Sequence, residues 1–148
     1  MRTSCRFAMA VHVMAVLAYK DGDPVTSTLL AGSVNTNPVI IRRLLLSLKE
    51  AKLIETRKGV GAGSRLSRSA QRINLAQIYR AVEQCEPFSS PSRKPNSGCP
   101  VGNCIRDTLA KVFVSAESAL ERDLEKTTLA DVVQAAKEAC LGTAKRVS

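Results

Sequence analysis

The sequence predicts a mostly α protein with one small two-stranded hairpin and one long helix towards its C-terminal end. Three observations carry that expectation. Apolar side chains recur at helical spacing along most of the chain. Between Leu53 and Ser67 this spacing gives way to two short extended segments around the glycine-rich tip Lys58-Gly59-Val60-Gly61-Ala62-Gly63. Further on, Ile105, Leu109, Val112, Phe113, Ala116, Leu120 and Leu124 share one face of roughly 22 residues, about 33 Å of helix.

Taken in order, residues 4–19 form the first predicted helix. Phe7, Ala8, Val11, Met14, Ala15 and Ala18 define one face, but Met9, Ala10, Val13, Val16 and Leu17 are apolar as well. A helix apolar on most sides is buried on most sides, in the core or against a second subunit. Lys20-Asp21-Gly22-Asp23-Pro24 stops it. A short second helix spans 26–34, capped by Thr26 or Ser27, with Leu29, Leu30 and Val34 facing inward. After the tight Asn35-Thr36 connection, Asn37 caps a third helix with Pro38 at its first position, where the missing N–H costs nothing. Ile41, Leu44, Leu45 and Leu48 supply its buried stripe. Two short helices joined by a tight turn, the second one basic, follow helix-turn-helix logic.

The hairpin then pairs Leu53–Arg57 with Ser64–Ser67. Glycines at alternate positions of its tip permit left-handed turns and close backbone approach. Directly after a helix-turn-helix, and flanked by basic residues, the hairpin resembles a wing; an ordinary glycine-rich loop is the plainer reading. It is not a phosphate-binding loop of the Walker type, because no Gly-Lys-Ser/Thr closes it and no helix follows.

A fourth helix is expected over Leu75–Gln84, opened by Ile73 or Asn74, with Ile78 and Val82 inward. Residues 86–98 are rich in Pro and Ser and are expected to be a mobile loop. The long helix starts near Val101–Cys104 and runs to about Lys126. Its single apolar stripe, flanked by Arg106, Lys111, Glu117, Glu121 and Arg122, suits dimerisation; the alternative is packing within its own subunit. Thr128 and Asp131 cap a last helix, Leu129–Cys140, with a frayed tail from Leu141. The expected layout is thus a winged helix-turn-helix over 1–84, a loop over 85–100, and a dimerisation helix with a C-terminal helix over 101–148.

The net charge of +9 over 148 residues is unevenly spread. Residues 1–74 hold twelve Lys/Arg against four acids, a balance of +8; the remainder holds ten against nine, or +1. A basic half on a near-neutral half points to a polyanion reader joined to another function. Aromatic residues are 3% of the chain with no Trp, which counts against a stacking platform for single strands. The apolar run from Met1 to Tyr19 is interrupted by Arg6 and His12 and lacks a cleavage pattern. No stretch approaches the roughly 20 apolar residues that span a bilayer. A cytoplasmic protein without membrane contact is expected, with its five scattered cysteines reduced.

Four segments together carry a family resemblance: Thr36-Asn37-Pro38-Val39-Ile40-Ile41-Arg42-Arg43, the wing tip Lys58-Gly59-Val60-Gly61-Ala62-Gly63, Ile73-Asn74-Leu75-Ala76-Gln77-Ile78, and Cys99-Pro100-Val101-Gly102. In their order and spacing, from Ser4 to about Ala135, the chain resembles the Rrf-two family of bacterial winged helix-turn-helix transcription regulators. The resemblance implies a homodimeric repressor on a partly palindromic double-stranded DNA operator, with recognition helices in the major groove and wings at the minor groove. It places Thr36, Asn37, Val39, Ile40, Arg42 and Arg43 at recognition positions and Lys58 at the wing tip. Physical chemistry agrees with that placement. Arginines in the first turns of a recognition helix reach base edges and pair with guanine, and a helix N-terminus suits phosphate. Arg57 and Arg65 flank the wing and would meet backbone or minor groove.

Cluster-binding members of that family hold iron–sulfur with three closely spaced cysteines before the long helix and a fourth ligand. This chain has only Cys99 and Cys104 there, and Cys85 lies fourteen positions earlier. Three readings stay open. Cys85, Cys99 and Cys104 hold an iron–sulfur cluster of altered geometry, with His12 as the further ligand. Alternatively, Cys99 and Cys104 form a reversible disulfide or a reactive thiol pair. In the third, the cysteines are inert and Cys99 packs as a small apolar residue. The plainer reading of His12 is a helix residue that fills the core or a dimer interface. A protein-interaction module without DNA binding is the competing function, opposed by the +8 half. Paired carboxylates, a Ser/His/Asp set and a Walker loop are all missing, so no enzyme is expected.

Overall fold

The computed structural model describes residues 5–144. The expected helix start at Ser4 and the last four residues lie outside that range. Cys5 precedes the first helix, α1 (Arg6–Tyr19), without capping it through its side chain. Ala10, Val13, Met14 and Leu17 of α1 are fully buried, and Phe7, Met9, Val11, Ala15, Val16 and Ala18 pack against the same core. This helix is the hub expected of its composition.

The second helix, α2 (Ser27–Val34), starts where the Thr26 hydroxyl accepts the Leu29 N–H at 3.3 Å. Asn35 ends it in the left-handed conformation (φ 58°), and the Thr36 N–H reaches back to the Ala31 carbonyl at 3.0 Å. That closure turns the chain sharply into α3 (Pro38–Glu50). One expectation fails here. Leu29 is 50% exposed, while Leu30 and Ala31 are buried. The inward face of so short a helix is narrow, and Leu29 lies one residue beyond it.

Helix α3 opens as its sequence dictates. The Asn37 Oδ1 accepts the Val39 N–H at 2.8 Å and Pro38 takes the first position. Ile41, Leu44, Leu45 and Leu48 are buried where α3 packs against α2 and against α4 (Leu75–Val82). Strands β1 (Ile54–Arg57) and β2 (Gly63–Leu66) pair antiparallel, with Ile54 opposite Leu66 and Arg57 opposite Gly63. A single 3-10 turn, Ala70–Arg72, leads to α4 and was not expected. Asn74 and Gln77 then form a reciprocal capping box, with both bonds at 3.0 Å.

Residues 84–99 carry neither helix nor strand. Two of its residues contact the helix that follows. Phe88 stacks on Phe113 with centroids 5.0 Å apart, and an Arg106 guanidinium N–H reaches the Pro91 carbonyl at 3.5 Å. The long helix, α5 (Pro100–Leu124), starts one residue earlier than expected, with Pro100 at its first position. Arg80 on α4 ties it to the domain through Glu121 at 2.7 Å and Glu125 at 2.8 Å.

The last helix, α6 (Leu129–Ala144), keeps its helical hydrogen bonding past Leu141, where fraying was expected. Its start is boxed: the Thr128 N–H donates to the Asp131 carboxylate at 2.8 Å and the Asp131 N–H to the Thr128 hydroxyl at 3.1 Å. The hydrogen bonds that the Thr128 backbone N–H and side chain give to the Asp131 carboxylate hold that carboxyl below its ordinary range. Helix α6 returns to α1, and Leu129 is fully buried in the core built by the first 84 residues. The Leu129 N–H donates to the Ile73 carbonyl at 2.8 Å, which fixes that return.

Candidate nucleic-acid interface

Helix α3 has two exposed sides, and the structure separates the two arginines between them. Arg42 faces the hairpin. It lines a cleft of about 360 Å³ together with Leu45, Leu46 and Lys49 of α3, Thr56 of β1, Ala62 to Ser64 of the hairpin and Thr26 and Ser27 at the start of α2. Lys49 stands seven residues after Arg42, two helical turns along the same side. Arg43 lies on the outward ridge opposite the buried Ile41, Leu44 and Leu48. Val39, four residues earlier, shares that ridge. Val39, Ile40, Arg42 and Arg43 are all exposed, and Thr36 is half-buried at the turn.

The hairpin is anchored rather than free-standing. Val25 and Ser64 exchange both backbone hydrogen bonds, at 2.9 and 2.8 Å, so the linker before α2 acts as a third short strand. Arg57 and Lys58 are exposed. Arg65 is not a bare cation, because its guanidinium donates to the Glu55 carboxylate at 3.1 and 3.3 Å across the hairpin. With both groups about half exposed, this pair adds about 0–1 kcal/mol to stability. Glu55 offsets the positive charge that Arg65 would otherwise present. Sequence reasoning missed Lys49, Thr26 and Ser27 as walls of the cleft. The two-turn spacing from Arg42 to Lys49 was the signal available.

The arrangement presents a capped helix N-terminus, a ridge bearing an arginine, a basic cleft and a glycine-tipped hairpin on one side of the domain. A family model described as Rrf2, iron-dependent transcriptional regulator, matches residues 3–135. The chain belongs to the Rrf2 family. YwnA of Bacillus subtilis (strain 168), named as a candidate HTH-type transcriptional regulator, is 36% identical over 128 residues, covering 86% of this chain and 94% of its own. A solved structure described as a candidate DNA-binding protein is 34% identical, with a TM-score of 0.69 over 86% of this chain and 97% of that one. The fold is shared as well with the global cysteine regulator CymR of B. subtilis, at 20% identity and a TM-score of 0.64 over 90% of this chain and 97% of that one. As an Rrf2 member the protein is a winged-helix DNA-binding transcription regulator, and neither the family nor these relatives are enzymes. Among the described residues no helix is long and apolar enough to cross a membrane.

The iron-dependent description raises the question of ligands. Cys85, Cys99 and Cys104 are all exposed thiols, as are Cys5 and Cys140. Among the described residues, no three His, Cys, Asp or Glu side chains of one subunit come together as a metal site. His12 does not fill the core. It is exposed on α1, and its Nε2 lies 3.1 Å from the Ser33 hydroxyl of α2. The donor set of a single subunit therefore does not fit a cluster. An intrahelical disulfide fits no better. Cys99 is the cap residue of α5 and Cys104 lies five positions on. Cα atoms five apart along a helix are about 8.7 Å apart, beyond the roughly 7 Å that a disulfide bridges.

Proposed function

We propose that the protein is a homodimeric repressor that binds a partly palindromic double-stranded DNA operator in the cytoplasm. The observation that carries this reading is the pairing of the α3 ridge with the wing cleft on one basic side of the domain. A ridge ending in Arg43 can enter a major groove while Arg42, Lys49, Arg57 and Lys58 meet the flanking phosphates. Thr36 and Asn37 stand at the α3 N-terminus, where phosphate is stabilised by free amide donors.

The second subunit is supported by α5. None of its 25 residues is buried within one chain, although Val101, Leu109, Val112, Val114 and Leu120 are large, apolar and exposed. A helix about 37 Å long leaves a costly apolar surface in water unless a partner covers it. A second copy supplies such a surface by symmetry. The regulating signal is a thiol reaction at Cys99 or Cys104. Both are exposed at the start of α5, beside the turn in which the Gly98 N–H donates to the Asn96 side chain at 2.9 Å.

The test is a titration of the full-length protein into duplex DNA from upstream of its own coding sequence, with its mass measured by sedimentation. Two subunits per duplex and displacement by matched but not scrambled competitor are expected. A monomer that binds both competitors alike contradicts the reading.

A further inference from the structure

The first turn of α3 carries two aliphatic side chains that the protein itself does not use. Val39 is 46% exposed and Ile40 41% exposed, at the second and third helical positions. Neither joins the core cluster, although Ile41 beside them is fully buried. They stand between the Asn37 cap and Arg42-Arg43, and α3 has no acidic residue before Glu50. That neighbourhood suits a surface lined by phosphates and not an apolar protein groove.

We infer that Val39 and Ile40 read thymine C5-methyl groups in the major groove. This deepens the operator-binding reading and rests on it. Residues in the first turn of a recognition helix approach base edges. An aliphatic side chain there can neither donate nor accept a hydrogen bond. Laid against guanine, adenine or cytosine it would strip water from polar edges without replacing the bonds. Thymine alone presents a methyl group in that groove. Val39 therefore selects thymine by apolar contact, while Arg43 on the same ridge selects guanine by hydrogen bonds. Four residues of helix advance about 6 Å, close to two base-pair steps of 3.4 Å. The thymine read by Val39 lies about two steps from the guanine read by Arg43. Ile40, a third of a turn round the helix, reads a separate methyl.

The test begins with sites selected by the full-length protein from a random duplex pool. Each thymine of the selected half-site is then replaced singly by deoxyuridine, which removes only the methyl. Loss of one buried methyl is expected to weaken binding about fourfold at one or two thymines per half-site. Val39→Ala is expected to weaken the thymine duplex and to bind the matching deoxyuridine duplex as well as the unaltered protein does, within about twofold. Because Val39 is exposed, the variant keeps its fold, and the thermal melt checks this. A selected site whose deoxyuridine versions all bind equally overturns this inference and leaves operator binding standing. So does a Val39→Ala variant that loses thymine and deoxyuridine duplexes alike. A pool that yields no preferred sequence overturns both readings.

Discussion

Gly63 lies flush against the backbone before α2: a Cβ placed on it would stand 2.8 Å from the Val25 nitrogen. Its φ of 150° is also one that side-chain-bearing residues rarely adopt. The hairpin is thus seated on the helix-turn-helix at a point where only glycine fits. Gly63→Ala is expected to cost about 2 kcal/mol or more, lowering the melting temperature by about 4–8 °C. The same variant should lose DNA affinity beyond what its folded fraction explains, because the wing moves. An unchanged melt would show that the seat is softer than described. Gly59 and Gly61, with open space around them, give smaller effects through their positive φ alone.

Arg42 and Arg43 are adjacent in sequence but face different parts of the interface. Arg42→Ala is expected to weaken all duplexes to a similar extent and to reduce the salt slope of the dimer by about two, the mark of one lost phosphate contact per subunit. Arg43→Ala is expected to cost about 1–3 kcal/mol on the preferred duplex and to relax base choice at one position per half-site. Binding to the preferred site and to single-base variants, each at several salt concentrations, separates the two. The reverse pattern would mean that α3 enters the groove rotated towards the wing.

Val112 is exposed on α5 and lies outside the core cluster. Val112→Glu should leave the monomer folded, since no core contact is lost, yet sediment as a single subunit. Losing the linked second half-site should weaken operator binding by roughly a hundredfold or more. A variant that stays dimeric would place the subunit contact elsewhere.

Cys99 and Cys104 are held a helical turn and more apart by α5. Mild oxidation followed by peptide mapping is expected to find no 99–104 bridge, and instead sulfenic acid, mixed disulfides or links between subunits. Recovery of that bridge in native protein would require the first turn of α5 to unwind on oxidation.

Most of this architecture was legible because local chemistry and the fold agree. Asn37-Pro38, Asn74 with Gln77, and Thr128 with Asp131 all mark helix starts within the side chains themselves. The stripe Ile41, Leu44, Leu45 and Leu48 was equally plain. What escaped depended on distant partners. Leu29 sits on so short a helix that periodicity could not tell its face from that of Leu30. His12 on α1 was placed by Ser33, 21 residues away, and Arg65 was neutralised by Glu55 across the hairpin. The Pro and Ser content of the loop did not reveal that Phe88 stacks on Phe113, on a helix not yet begun in the chain. Arg42 and Arg43 looked equivalent because only the position of the wing distinguishes the sides of α3.

On the proposed reading, this surface binds duplex DNA through the basic side chains around α3 and the wing. The most direct measurement is the dissociation constant on the selected duplex as a function of salt. For a dimer neutralising about 8–12 phosphates, log affinity should fall against log salt with a slope of about −7 to −11. Arg42→Ala combined with Lys49→Ala should make that slope shallower by about four, because each dimer loses both residues twice. A slope near zero, or one indifferent to those substitutions, would contradict the account.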